Sequence, residues 1–176
     1  MRGAIWLVGM MGAGKSTVGP PLAARLRRRF VDTDDVIVER AGKSIAAIFA
    51  EDGEAAFRAL EADVVAEAGA EGAVVAVGGG AVAEPGAAER LAHSGTLVYL
   101  RARPETLIER IGDPASRPLL AELEPEERVC RIRALLRERE PAYATAKVIV
   151  DVDEWDEAAL AEQIGERLTA LEREQT

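Results

Sequence analysis

Residues 4–17 read AIWLVGMMGAGKST. Ala4–Val8 is a run of apolar residues with β-rich character and the length of a buried strand. Gly9-Met10-Met11-Gly12-Ala13-Gly14-Lys15-Ser16 then matches the spacing G-x-x-x-x-G-K-[ST], and a helical stretch follows it. In this strand–loop–helix arrangement glycines let successive backbone N–H groups turn inward on phosphate oxygens, and the helix start adds positive potential. Lys15 is placed to reach the β- and γ-phosphates of a nucleoside triphosphate, and the Ser16 hydroxyl to ligate Mg²⁺. Gly12, Ala13, Gly14, Lys15, Ser16 and Thr17 are therefore candidate nucleotide-binding residues.

The surrounding composition narrows what such a loop serves. With 176 residues the chain has the length of one domain, residues 1–176, and too little for two independent cores. A hydrophobic share of 48% beside 30% charged residues fits a folded globular protein. The net charge of −9 argues against nucleic acid or an anionic membrane as partner, since either needs a broad basic face. An anionic ligand must then meet locally gathered cations. Of the 22 basic residues only Lys15, Lys43 and Lys147 are lysines, and one of them closes the glycine loop. The single Cys130 can form no internal disulfide, reads as a small buried apolar residue, and agrees with a reducing compartment. The apolar run near the N-terminus is too brief for a membrane span and lacks a cleavage site, so a cytoplasmic protein is expected.

Working outward, strands alternate with helices. FVDTD at 30–34 reads as a short strand ending in acids, with helical patterns across 35–41 and 44–51 and a longer helix over 54–68. AVVAV at 73–77 is a continuous apolar run stopped by Gly78-Gly79-Gly80, as for a buried parallel strand. A helix from about Pro85, the strand TLVYL at 96–100 and a helix from Pro104 to Ile111 come next. Residues 112–125 hold three prolines and a glycine without helical periodicity, which points to a surface lid. A charged helix over 126–140 is expected to stop at Pro141, before a strand at 148–150 and a closing helix over 156–172. Pro20 and Pro21 fall inside the first helix, where a kink or a short helix is expected. Arg27, Arg28 and Arg29 read as a solvated helix end, as does His93. The alternation implies a three-layer α/β/α domain around a five-stranded parallel sheet.

The acceptor side is written less sharply. Asp32 and Asp34 follow the second strand, at the edge where open parallel sheets hold ligands. One acid can support Mg²⁺ and the other take a hydrogen bond from a substrate hydroxyl, while Asp34 or Asp35 serves equally well as a helix cap. Gly78, Gly79 and Gly80 allow close backbone approach to a ligand, or form an ordinary turn. Arg58, between Glu54 and Glu61, reads alone as a surface ion-pair array.

Taken together, GMMGAGKST, FVDTD, GKSIAAIF, GEAAFRALE, VGGGAV, SRPLL and REREPAY (Arg137–Tyr143) occur in an order and at a spacing that resemble the shikimate kinases over residues 5 to about 150. That resemblance implies a P-loop NTPase fold like that of the nucleoside monophosphate kinases, with an acceptor-binding segment at about 33–61 and a lid at about 112–125. It implies transfer of the γ-phosphoryl of ATP to the 3-hydroxyl of shikimate. Asp34 would bind the ring hydroxyls and act as base, and Asp32 would support Mg²⁺ beside Ser16. Arg58 and Arg139 would grip the carboxylate, with Glu61 orienting Arg58 and Gly79 and its neighbours offering backbone N–H groups. Arg110 would lie against adenine, and Arg117 would close over the transferring phosphoryl group. A monomer is expected. The chain departs from the family pattern at Asp153-Glu154-Trp155, where an adenine-contacting loop is usual, and at Arg27–Arg29, where a glycine is usual. Trp155 reads as a half-buried packing residue, with stacking on adenine as the other reading. Gluconate kinases, or a nucleotide-binding module without turnover, are the rival readings. Replacement Arg117→Ala is expected to lower kcat far more than it weakens acceptor binding, measured by steady-state kinetics beside acceptor titration.

Overall fold

The first strand, β1 (Ala4–Val8), is buried at every position and occupies the middle of a five-stranded sheet. This computed structural model describes residues 3–82, 84–112, 119–120, 123–154 and 156–174. Around β1 the strand order is β2-β3-β1-β4-β5, every pairing parallel, with β2 at Phe30–Asp32, β3 at Val74–Ala76, β4 at Gly95–Arg101 and β5 at Val148–Asp151. A central parallel strand has both faces covered, and this is why AIWLV carries no polar alternation. The expected five-stranded parallel sheet is thus present, with eight helices among the described residues.

Helix α1 (Lys15–Leu26) leaves the phosphate loop and runs unbroken through Pro20 and Pro21. Both prolines are exposed, so the Ser16 and Thr17 carbonyls that lose their helical donors stand where water reaches them. The expected shortened helix is replaced by twelve continuous residues. Gly19, in the same stretch, lets the ring of Phe30 close on the helix: a Cβ there would sit 2.0 Å from the ring edge. At the C-cap Arg27 takes the left-handed conformation, φ 53°, that a glycine would adopt without strain. Arg28 is no solvated end, because its Nη1 donates to the carbonyls of Gly3 at 2.5 Å and Gly72 at 2.8 Å. Arg29 pairs with Glu71 at 2.6 Å.

Helices α2 (Thr33–Ala41), α3 (Ile45–Glu51) and α4 (Glu54–Ala70) follow β2. They enclose a core of their own, Ile37, Ile48, Phe57 and Val64, separate from the main one. Phe49 and Phe57 meet within it, ring centroids 4.7 Å apart. Helix α5 (Ala87–Ser94) connects β3 to β4, and α6 (Pro104–Arg110) follows β4 with proline in its first turn.

Helix α7 (Pro125–Tyr143) does not stop at Pro141. Pro141 is exposed, so the Arg137 carbonyl deprived of its N–H partner turns to water, and the helix gains one more buried side chain, Tyr143. Cys130, on α7, is exposed and not buried, because it lies among the charged residues of that helix. Helix α8 (Glu157–Glu174) closes the chain against α1. No helix among the described residues is long and apolar enough to cross a membrane. Gly19→Val is expected to lower stability by about 1–3 kcal/mol through forced displacement of Phe30, read as a fall in Tm of roughly 5 °C.

Candidate active site

The C-terminal ends of β1, β2 and β3 open on one cavity of ≈ 1870 Å³, lined by the phosphate loop, the start of α2, α4, Gly78–Gly80 and α7. Gly14 caps α1 with φ 89°, a left-handed conformation that suits glycine and leaves Lys15, Ser16 and Thr17 in the first helical turn. The first N–H groups of such a turn have no acceptors within the helix and face the loop. Lys15 Nζ donates to the carbonyls of Gly9 (2.8 Å) and Met10 (3.0 Å), the loop's own first residues.

Asp32 holds two positions together. Its Oδ1 accepts from the Asp34 amide at 3.0 Å, which makes Asp32 the cap of α2, and its Oδ2 accepts from Ser16 Oγ at 2.5 Å. The cap is thus neither Asp34 nor Asp35, and the carboxyl of Asp34, two residues into the helix, lines the cavity. Ser16 Oγ and Asp32 Oδ2 together present adjacent hard oxygens. Among the described residues no group of three or more His, Cys, Asp or Glu side chains could hold a metal.

The triglycine loop meets the candidates on the acceptor side. A Cβ on Gly78 would lie 2.9 Å from both Asp34 Oδ1 and Glu61 Oε1, one on Gly79 3.3 Å from Arg139 Nη1, and one on Gly80 3.0 Å from Arg58 Nη2. Three bare residues therefore let two carboxyls and two guanidinium groups crowd around one turn of backbone. Of these amides, that of Gly78 is already committed, donating to Thr33 Oγ1 at 3.1 Å. This narrows the expected row of backbone donors toward the acceptor.

Arg58 is gripped on its own helix by Glu61 (Nη1 to Oε2, 2.7 Å) and more loosely by Glu54 (3.4 Å), and its guanidinium lies 5.4 Å from the Phe57 ring centroid. Glu61 is only 5% exposed, so this is no surface array. Burial pushes the Glu61 carboxyl above its ordinary pKa, against the opposing pull of the Arg58 hydrogen bond and charge. For Arg58, burial is the largest influence and works against the charge, but the hydrogen bonds and charges of Glu61 and Glu54 together outweigh it, leaving its pKa above the ordinary value.

Arg139 is buried on α7, and its Nη1 donates to the Gly79 carbonyl at 2.9 Å. Four residues on, Tyr143 donates to the same carbonyl at 2.8 Å, and both lie 3.8 Å from Met10 Sδ of the phosphate loop. Tyr143 stacks on Tyr99 at 4.9 Å, and Tyr99 donates to Glu140 at 2.7 Å. Burial pushes the Tyr143 phenol up to about 12, so it stays protonated and able to donate. Thr33, Tyr143 and Met10 are the site residues that sequence reasoning passed over. All three were in view, inside FVDTD, REREPAY and GMMGAGKST, without a role.

Arg110, Ile111 and Gly112 line the far end of the cavity with Val152, Asp156 and Leu160. Asp153 turns away from a base contact: it accepts from the Arg103 amide at 3.0 Å and pairs with the Arg103 side chain at 3.5 Å. Arg117 and Trp155 lie outside the described residues, as does most of the expected lid.

A phosphate loop on a parallel sheet of order 2-3-1-4-5, facing acids and arginines across one cavity, defines a P-loop kinase of small molecules. The chain belongs to the shikimate kinase family, whose model matches residues 11–169. It is 46% identical over 171 residues to the shikimate kinase of Moorella thermoacetica, covering 97% of this chain and 96% of the relative. The shikimate kinase of Synechococcus sp. (strain JA-3-3Ab) is also 46% identical, over 97% of this chain and 90% of that one. Among solved structures, shikimate kinase from Acinetobacter baumannii in complex with shikimate superposes with TM-score 0.88 at 35% identity, over 97% of this chain and 94% of that one. A gluconokinase from Sinorhizobium meliloti superposes with TM-score 0.62 at 19% identity, a likeness of fold alone.

Glu61→Gln is expected to be more stable relative to wild type as pH rises from about 4.5. A carboxyl whose folded pKa is raised loses stability as pH climbs through that value, whereas the amide does not titrate. Thermal melts of both proteins from pH 4 to 8 check the sign.

Proposed function

We infer that this protein transfers the γ-phosphoryl of ATP to the 3-hydroxyl of shikimate, giving 3-phosphoshikimate and ADP on the route to aromatic amino acids. The observation that carries the reading is the convergence of Asp34, Glu61, Arg58 and Arg139 on Gly78–Gly80, opposite the phosphate loop. Likeness to a shikimate complex at 35% identity supports it, while the gluconokinase likeness, at 19%, supports no acceptor.

The chemistry assigned to each residue follows from its place. The amides of Gly12–Thr17 and the Lys15 ammonium hold the β- and γ-phosphates, once Lys15 exchanges the Gly9 and Met10 carbonyls for phosphate oxygens. Ser16 and Asp32 are the residues that would hold Mg²⁺, which would offset phosphate charge when bound. Arg58 and Arg139 take the acceptor carboxylate, a planar anion matched to guanidinium forks. Asp34 accepts the proton of the 3-hydroxyl as that oxygen bonds to the γ-phosphorus and the bond to the β,γ-bridging oxygen breaks. Arg110 stands on the adenine side, and Arg117 is proposed to stabilise the charge on the transferring group. The phosphate loop, Asp34, Arg58 and Arg139 meet within one chain, which supports a monomer, and the donor in this reading is the ATP of the cytoplasm.

A coupled ADP-release assay over shikimate, gluconate and related hydroxy acids tests the reading. Turnover is expected with shikimate, and Arg58→Ala is expected to raise its KM at least ten-fold with a smaller effect on kcat. Turnover of gluconate instead, or of no acceptor despite ATP binding, overturns it.

A further inference from the structure

The Gly79 carbonyl has two side-chain donors one helical turn apart, and only one of them is placed to serve the acceptor. Arg139 Nη1 reaches it at 2.9 Å and Tyr143 Oη at 2.8 Å. Tyr143 is fully buried and stacked on Tyr99, which is itself anchored by Glu140, so the hydroxyl has little freedom to leave. Arg139 differs. Its Nε is buried with no hydrogen-bond partner, so the guanidinium is only partly satisfied by the protein.

We propose that Tyr143 is a positioning residue that frees Arg139 for the acceptor by keeping the Gly79 carbonyl bonded. In this reading the guanidinium turns toward the acceptor carboxylate, and Nη1 gives up the Gly79 carbonyl to which it donates. Without the phenol that carbonyl loses its last side-chain donor, and desolvation opposes the move. With it, the carbonyl stays paired, the triglycine turn holds its place against Asp34 and Arg58, and the guanidinium turns at low cost. Tyr143 thus acts through Arg139 and touches neither substrate. This inference rests on the acceptor reading given above.

Tyr143→Phe keeps the ring and its stacking while removing one hydroxyl. The expected result with shikimate is a rise in KM of about ten-fold, with kcat and the KM for ATP each changed by less than about two-fold. In an Arg139→Ala background the same change is expected to leave the calorimetric Kd for shikimate unaltered, because no guanidinium remains to be released. An unchanged KM in Tyr143→Phe overturns the proposal, as does an equal loss of affinity in the presence and absence of Arg139. A parallel loss of kcat, ATP affinity and Tm overturns it too, since that marks a role in the fold alone. The acceptor panel needs only the wild-type chain, so the functional reading and this one fail on separate measurements.

Discussion

Between the phosphate loop and the loop after β3 the gap is so narrow that a single methyl group would fill it. A Cβ on Gly79 would meet Arg139 Nη1 at 3.3 Å, the Gly9 carbonyl at 3.5 Å and the Met11 amide at 3.7 Å. The two segments are neighbours because β1 and β3 pair in parallel and both end at the same edge of the sheet. Bare backbone then becomes the wall between donor and acceptor sites. Everything else in the site, from the cap on α2 to the arginine on α7, is arranged around that approach.

The electrostatics follow from the same crowding. A chain of net charge −9 binds two anionic substrates because its cations are collected where Coulomb forces are least screened. They are also held in pairs. Glu61 fixes Arg58, Asp32 fixes Ser16, and the Gly79 carbonyl keeps Arg139 beside the acceptor loop, so each group is close at hand before substrate arrives. Such an arrangement costs stability locally, as the raised pKa of buried Glu61 shows. Pre-organised charge of this kind is what phosphoryl transfer requires, since positioning and charge stabilisation supply most of its rate enhancement.

What could be read in advance was whatever depends on residues near one another in the chain. The phosphate loop, the buried run AVVAV and the i,i+3 pairing of Arg58 with Glu61 are local patterns and survive intact. The missed features are tertiary. Thr33 bonds an amide 45 residues away, and Tyr143 a carbonyl 64 residues away, and no spacing rule reports either. Arg28 bridges two carbonyls at the far edge of the sheet, where a run of three arginines suggested only solvent. Helix α7 passes through Pro141 because the missing N–H falls on the exposed side, a fact that depends on which face packs inward. The cap, Asp32, is also tied through its second oxygen to Ser16, in another element altogether.

The exposure of Cys130 on the outer face of α7 gives the molecule a built-in handle. It is the sole sulfhydryl of the sequence, so a maleimide dye would attach at one defined point without any engineered change. That point lies on the same rod of backbone as Arg139 and a few residues beyond the segment expected to fold over the nucleotide. Fluorescence from it would follow that helix in real time during turnover.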